Sequence, residues 1–238
     1  MVKAVFFDVY GTLAGFKPSR YEVQSQACAG FAIDVTPRGI VKGYASADTY
    51  MSEQNSRSPI RLRNPEERDR FFAEYQRLVL LGSGVQVTQD KALQIFQRLR
   101  QIPYKLAPFD DVVPALDKLR ARGLILGIIS NIDPEEGELA DNLGLTDYLD
   151  LTVTSAEVSA DKPDPRIFQA ALAKADVAPQ EAMHVGDQPT ADIDGAFGAG
   201  ISPVLLDRDR IHEGFDQCPR IESTLELPAL LDTLYTPT

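Results

Sequence analysis

Cysteine, histidine and long apolar runs are all scarce in this 238-residue chain, and each scarcity removes a class of function. The cysteines are Cys28 and Cys218 alone. They could pair in principle, but nothing in their spacing makes a disulfide framework, and two free thiols in a reducing cytosol is the simpler reading. Neither lies at a metal-ligand spacing, and the two histidines, His184 in an apolar strand and His212 in a terminal loop, do not complete a zinc site. His184 reads as a core residue rather than a base. No segment offers the roughly 20 apolar residues that cross a bilayer. The amino terminus runs into a strand pattern without an apolar leader and small-residue cleavage site. No membrane partner is expected, and the expected location is cytoplasmic. Positive charge is also short: 24 Lys and Arg face 35 Asp and Glu, giving a net charge of −11 and a pI near 4.7. Such a field repels phosphate backbones, so no nucleic-acid partner is expected. Repeats and low-complexity tracts are absent, and no motif speaks to oligomeric state.

What is present is an alternation of short apolar strands and amphipathic helices, interrupted once. A strand over Ala4 to Phe7 is followed by a mostly helical, polar stretch from about 16 to 103. Its expected helices are Tyr21 to Phe31, Pro37 to Met51, Pro65 to Leu81 and Thr88 to Gln101, with a loop over Ser52 to Asn64 around Pro59. From Pro108 the alternation returns. Helix Val112 to Arg122 stops at Gly123; a strand over Leu124 to Ile129 follows, then helix Glu136 to Leu143 and a strand at Leu151 to Thr154. Helix Pro165 to Lys174, a strand over Ala182 to Val185, helix Ala191 to Ala199 and strand Pro203 to Leu206 complete the series. This order predicts an α/β fold with a doubly wound, parallel-sheet (Rossmann-like) core, residues 1–15 and 104–238, carrying an inserted helical domain, residues 16–103.

Four strand ends deliver polar residues where open α/β sheets bind ligands. The first leads into Asp8-Val9-Tyr10-Gly11-Thr12-Leu13. The Leu124 strand delivers Ser130 and Asn131. The Leu151 strand leads to Lys162-Pro163, ahead of Asp164 as N-cap and Pro165 as the first helical residue. The Ala182 strand delivers Gly186-Asp187 and, five residues after that aspartate, Asp192. Singly each has an ordinary reading: a capped strand end, an Asx turn, a solvated lysine, a helix N-terminal acid. Their joint occurrence in order is what ordinary turns do not explain.

Together these residues resemble the four motifs of the haloacid dehalogenase-like (HAD) hydrolase superfamily along nearly the whole chain. The insertion is similar to the helical cap of many members, which the resemblance implies closes over the active site and selects substrate; the alternative is a passive helical subdomain or dimer surface. Arg20, Arg57, Arg61 and Arg63 are candidates there for an anionic substrate, against simple surface solvation.

Asp8, Asp187 and Asp192 at one sheet edge would repel one another unless a cation sits between them, and a hard dication such as Mg²⁺ suits their oxygens. Asp8 can then attack phosphorus and form an aspartyl-phosphate that water hydrolyses. Mg²⁺, Lys162, Ser130 and the backbone N–H groups of the Asp8 and Ser130 turns can neutralise the transferring group, with Gly11, Thr12 and Asn131 also placed to bind phosphate. The resemblance adds the main-chain carbonyl of Tyr10 as a metal ligand. The expectation is an Mg²⁺-dependent hydrolase of a small, anionic, phosphorylated metabolite.

Tyr10 departs from that pattern. Most phosphatases of the superfamily carry a second aspartate at this position, to protonate the leaving oxygen and activate water. A phenol, with an unperturbed pKa near 10, is a poor base at neutral pH. The 2-haloacid dehalogenases also have tyrosine here, and expel a halide that needs no proton. They typically show Ser-Ser-Asn in place of Gly186-Asp187 and use no metal, so the carboxylates favour phosphatase, with dehalogenase and a non-catalytic phosphate-binding scaffold as alternatives.

Overall fold

The computed structural model describes residues 1–131 and 139–235. Its elements are β1 (Ala4–Phe7), β2 (Ala14–Lys17), α1 (Arg20–Ala29), α2 (Pro37–Arg57), α3 (Pro65–Leu81), α4 (Gln89–Leu99), β3 (Lys105–Pro108), α5 (Val112–Arg120) and β4 (Ile125–Ser130). There follow α6 (Leu139–Asn142), β5 (Leu151–Thr154), α7 (Ser155–Val158), α8 (Pro165–Ala175), β6 (Ala182–Gly186), α9 (Gly195–Gly198), β7 (Ser202–Leu206), β8 (Arg220–Ile221) and α10 (Leu227–Tyr235). The chain divides into two compact units, Met1–Gly15 with Ala107–Thr238, and Phe16–Leu106.

The first unit is an α/β fold built on a six-stranded sheet in the order β5-β4-β1-β6-β7-β8, with parallel pairing throughout. β1 sits between β4 and β6, and the chain winds outward from it in both directions, so the strand order reverses there. Every residue of β1 is buried, as expected of a central strand covered on both faces. On one face, Phe6, Ile129 and Val153 pack with Ile167, Phe168 and Ala171 of α8. A ring such as Phe168, fully buried, contributes about 2–3 kcal/mol through its apolar area.

Register fixes the site. Phe7 pairs with Ile128 of β4 and Val185 of β6, which sets Asp8 level with Ile129 and Gly186, with Ser130 and Asp187 one step further. Three motif residues therefore emerge at one sheet edge because three parallel strands end together.

The second unit is helical. Its helices begin where the sequence supplies caps: Ser19 and Glu22 close a reciprocal box on α1, Asn64 and Glu67 do so on α3 ahead of Pro65, and Thr36 and Thr88 cap α2 and α4. Val23, Cys28, Ile40, Tyr44, Val79 and Ile95 form its core.

Several boundaries differ from expectation. α2 continues through the segment expected as loop, to Arg57, and a single 3₁₀ turn follows at Ile60–Leu62. No Gly or Pro interrupts residues 44–58, Ser52 is buried, and Pro59 stops the helix two residues after its end. The helix expected at Ala191–Ala199 is instead a π-helical turn, Pro189–Asp194, followed by α9. The helix expected over Glu136–Leu143 is seen as α6; its residues 136–138 lie outside the described residues. β2 and β3, which pair with each other, the two-residue β8 and the helix α10 were not expected. The cysteines are both free. Among the described residues, no helix is long and apolar enough to cross a membrane.

Candidate active site

The turn after β1 is closed tightly. Thr12, Leu13 and Ala14 all donate their N–H groups to the Val9 carbonyl, at 3.2, 2.9 and 2.8 Å, and Gly11 donates to the Ala14 carbonyl at 2.9 Å. Gly11 has φ +85°, and a Cβ there would stand 2.2 Å from Asp187 Oδ2. Only glycine lets this turn lie against the end of β6. Gly186 answers the same need toward Asp192, whose Cγ lies 2.2 Å from where its Cβ would be.

Lys162 ties the carboxylates together. Its Nζ donates to Asp8 Oδ1 at 2.5 Å and to Asp192 Oδ1 at 2.7 Å, with the lysine side chain 3% exposed. The lysine is held in turn by Asn131, whose Oδ1 accepts the Lys162 N–H at 2.7 Å and whose Nδ2 donates to the Lys162 carbonyl at 3.1 Å. Asn131, expected to bind phosphate, thus has both ends of its amide on the lysine backbone.

Asp192 is engaged on both of its oxygens. Oδ1 also meets His184 Nε2 at 3.1 Å, and Oδ2 accepts the Gln188 N–H at 3.0 Å. His184 is fully buried, as expected of a core residue, yet it also completes this polar set. The signal for it was a polar side chain in an otherwise apolar central strand, since a buried polar group needs a partner.

The charges follow from these contacts. Burial pushes Asp8 up to about 6 against the pull of Lys162, and the Asp192 charge adds to the rise. Burial also disfavours the Lys162 ammonium, but Asp192 and Asp8 outweigh it and hold the lysine protonated well above its usual range. Burial raises Asp192 too, and Lys162 and His184 overcome it, leaving that carboxylate ionised far below its usual range. His184 is lowered by burial and stays neutral at pH 7, so its Nε2–H donates to Asp192.

Asp8, Asp187 and Asp192 offer oxygens within 4.8 Å of one another. Three carboxylates against one ammonium leave two negative charges, which a dication would balance. Among the described residues Asp8 Oδ2, Thr12 Oγ1 and Ser130 Oγ are buried without a hydrogen-bond partner. Buried polar atoms left open in this way need a ligand, and an all-oxygen set suits a hard cation and a phosphate. Tyr10 is half-buried and bridges to Ala14 within the turn.

A family model for haloacid dehalogenase-like hydrolases matches residues 2–200. The chain belongs to that family. The hydrolase is 35% identical over 142 residues to a phosphoserine phosphatase of Thermus thermophilus, covering 59% of this chain and 55% of that protein, so it spans about half the relative's length. It is 31% identical over 214 residues to a glyceraldehyde 3-phosphate phosphatase of Methanothermobacter thermautotrophicus, covering 88% of this chain and 87% of the relative. Among solved structures, a 2-haloacid dehalogenase of Pseudomonas syringae pv. Tomato DC3000 matches with a TM-score of 0.54 at 25% identity, covering 98% of this chain and 100% of that one.

Within the helical unit, Arg20 donates to Asp48 at 3.2 Å and lies 4.6 Å from the Tyr44 ring centroid. Arg63 caps the carbonyls of Ser58 and Gln54 and covers Phe71. Arg57 and Arg61 are exposed. Arg20 and Arg63 are thus committed to neighbours within the unit. The unit does carry an open pocket of about 370 Å³ lined by Phe16, Gln24, Tyr44, Phe72, Tyr75 and Tyr104, among others.

Proposed function

We propose that this hydrolase is an Mg²⁺-dependent phosphatase of a small phosphorylated metabolite, with Asp8 as nucleophile. The observation that carries the reading is the division of labour on Asp8: Oδ1 is held by Lys162, while Oδ2 is buried and unpartnered beside Asp187. Asp8, Asp187 and the Tyr10 carbonyl would hold the metal. Bound there, Mg²⁺ supplies positive charge that offsets the oxygens of the transferring phosphoryl group. Asp192, whose Oδ1 accepts from both Lys162 and His184, acts through Lys162 as a positioning residue.

Asp8 attacks phosphorus, the bond to the leaving oxygen breaks, and that oxygen takes a proton from solvent. Lys162 stays protonated throughout and shares its charge between Asp8 and the phosphoryl oxygens. The Ser130 hydroxyl donates to one of those oxygens, and Thr12 Oγ1 is a second free donor in the turn. Water then attacks the aspartyl-phosphate and releases phosphate. The helical unit acts as the cap that chooses the organic part of the substrate; its aromatic-lined pocket supports that role. The two free cysteines support a reducing, cytoplasmic setting as part of this reading.

The Tyr10 position favours a second reading, 2-haloacid dehalogenase. A side-by-side screen decides between them: phosphate esters with Mg²⁺, and 2-haloacids without it. Phosphate release that needs Mg²⁺ is expected; metal-independent halide release with no phosphatase activity would overturn the proposal.

A further inference from the structure

We infer that Arg208, in the segment beyond the family-matched stretch, is a positioning residue that pins the nucleophile turn. The inference rests on the reading of Asp8 as nucleophile. The family model ends at residue 200, and Arg208 follows β7. Its Nη2 donates to the Thr12 carbonyl at 2.8 Å, across 196 positions of sequence, and its Nη1 donates to Asp111 Oδ2 at 2.9 Å. The guanidinium lies 4.2 Å from the Phe109 ring centroid.

The Thr12–Leu13 peptide is therefore held at both ends, its carbonyl by Arg208 and its N–H by the Val9 carbonyl at 2.9 Å. A peptide unit is planar, so fixing both groups fixes its tilt. Val9 is bonded directly to Asp8, and a shift of that plane moves the nucleophile. A planar fork is suited to this: one nitrogen serves a carbonyl, another a carboxylate, and the flat face stacks on a ring.

Asp111 is itself anchored from the carboxyl-terminal segment. Its Oδ2 accepts the Ser223 hydroxyl at 2.6 Å and the Thr224 N–H at 2.9 Å, and Thr224 Oγ1 donates to the Asp111 carbonyl at 3.1 Å. Thr224 is 1% exposed. Arg208, Asp111, Ser223 and Thr224 thus form a continuous chain of bonds to the nucleophile turn.

The test uses the full chain, para-nitrophenyl phosphate with Mg²⁺, and amide hydrogen exchange. Arg208→Met is expected to lower kcat about ten- to hundredfold, because small displacements of a reacting group cost rates of that order. KM should stay within about threefold, since the contact does not touch substrate. Arg208→Lys should recover part of kcat, and Ser223→Ala should lower it more modestly. Asp232→Ala, which removes an exposed pair with Arg122, should leave kcat unchanged. Exchange at the Leu13 and Ala14 amides should quicken in Arg208→Met. A folded Arg208→Met with native kcat and native exchange overturns the inference, as does a kcat that falls only with the folded fraction. If Arg208→Met does not fold, Arg208→Lys and Ser223→Ala decide by the same readouts. A native protein that hydrolyses no ester instead sinks the phosphatase reading, and the exchange result then judges Arg208 alone.

Discussion

Lys162 stands 2.5 Å from Asp8 Oδ1 in surroundings that leave the lysine side chain 3% exposed. Its ammonium is the counter-charge for Asp8 and Asp192 together. Lys162→Ala strips it from both, and removing one partner from a buried ion pair costs about 3–5 kcal/mol. Turnover should fall about 10²- to 10³-fold, the usual cost of losing a charge-stabilising donor. Urea unfolding and steady-state kinetics on the same preparation check both. Native stability would mean that water replaces the ammonium, and native turnover would place Lys162 outside the reaction.

Asp187 supplies the second prediction. Magnesium that binds the folded protein alone should raise its unfolding free energy, by about 2.7 kcal/mol at a concentration a hundred times Kd. Asp187→Ala should abolish most of that gain. Asp8→Asn should diminish it as well while ending turnover. The Asn variant should also gain stability over native, metal-free protein as pH rises. Burial lifts the folded-state pKa of Asp8 to about 6, so ionising it costs the folded state increasingly between about pH 4 and pH 6. Calorimetric titration with Mg²⁺ and pH-dependent unfolding provide the measurements; identical Mg²⁺ responses in native protein and Asp187→Ala would remove Asp187 from the metal site.

Asp111 gives the opposite pH dependence. Burial raises its carboxyl, but hydrogen bonds from Arg208 and Ser223 outweigh this and hold it down to about 2. A depressed folded-state pKa contributes stability that is complete above the unfolded value near 4 and is lost as pH falls toward 2. The side chain is partly solvated, so the contribution is on the order of 1–2 kcal/mol after screening. The stability gap between native protein and Asp111→Asn should therefore narrow as pH falls from about 4 to about 2. A gap constant across that window would show that the carboxylate charge does not matter.

What the sequence made legible, and what it did not, divides along physical lines. The strand ends were readable because β1, β4 and β6 are short apolar runs that stop at polar residues, and parallel pairing brings such stops to one edge. The start of α3 was readable because Asn64, Pro65 and Glu67 satisfy its first N–H groups locally. β8, two residues long, carries no period, and the carboxyl end of α2 carries no cap signal ahead of Pro59. The individual roles within the site were the least legible. Asn131 reads as a phosphate ligand because it follows Ser130, and the sequence gives no sign that its side chain also grips a lysine backbone 31 positions away. The contact of Arg208 with Thr12 crosses the whole core, and no local pattern marks it.

Tyr10 carries the last prediction, because it is the one residue of the nucleophile turn that departs from the phosphatase pattern. In phosphoryl transfer the leaving oxygen must be protonated, and no carboxyl stands two residues after Asp8 to do it. Tyr10→Asp should place one there and speed hydrolysis of esters with poor leaving groups by about tenfold or more, the lower end of what a positioned acid contributes. Esters with good leaving groups should gain less, since their departure needs little help. Each added carboxylate also repels Asp8 and raises its pKa, so the gain should be largest with Mg²⁺ saturating. A dehalogenase should respond the other way: its leaving halide needs no proton, and the new charge would repel a haloacid. Both activities measured in native protein and in Tyr10→Asp separate the two. Metal-independent halide release that falls on substitution, with no phosphatase activity in either protein, would establish carbon rather than phosphorus as the centre Asp8 attacks.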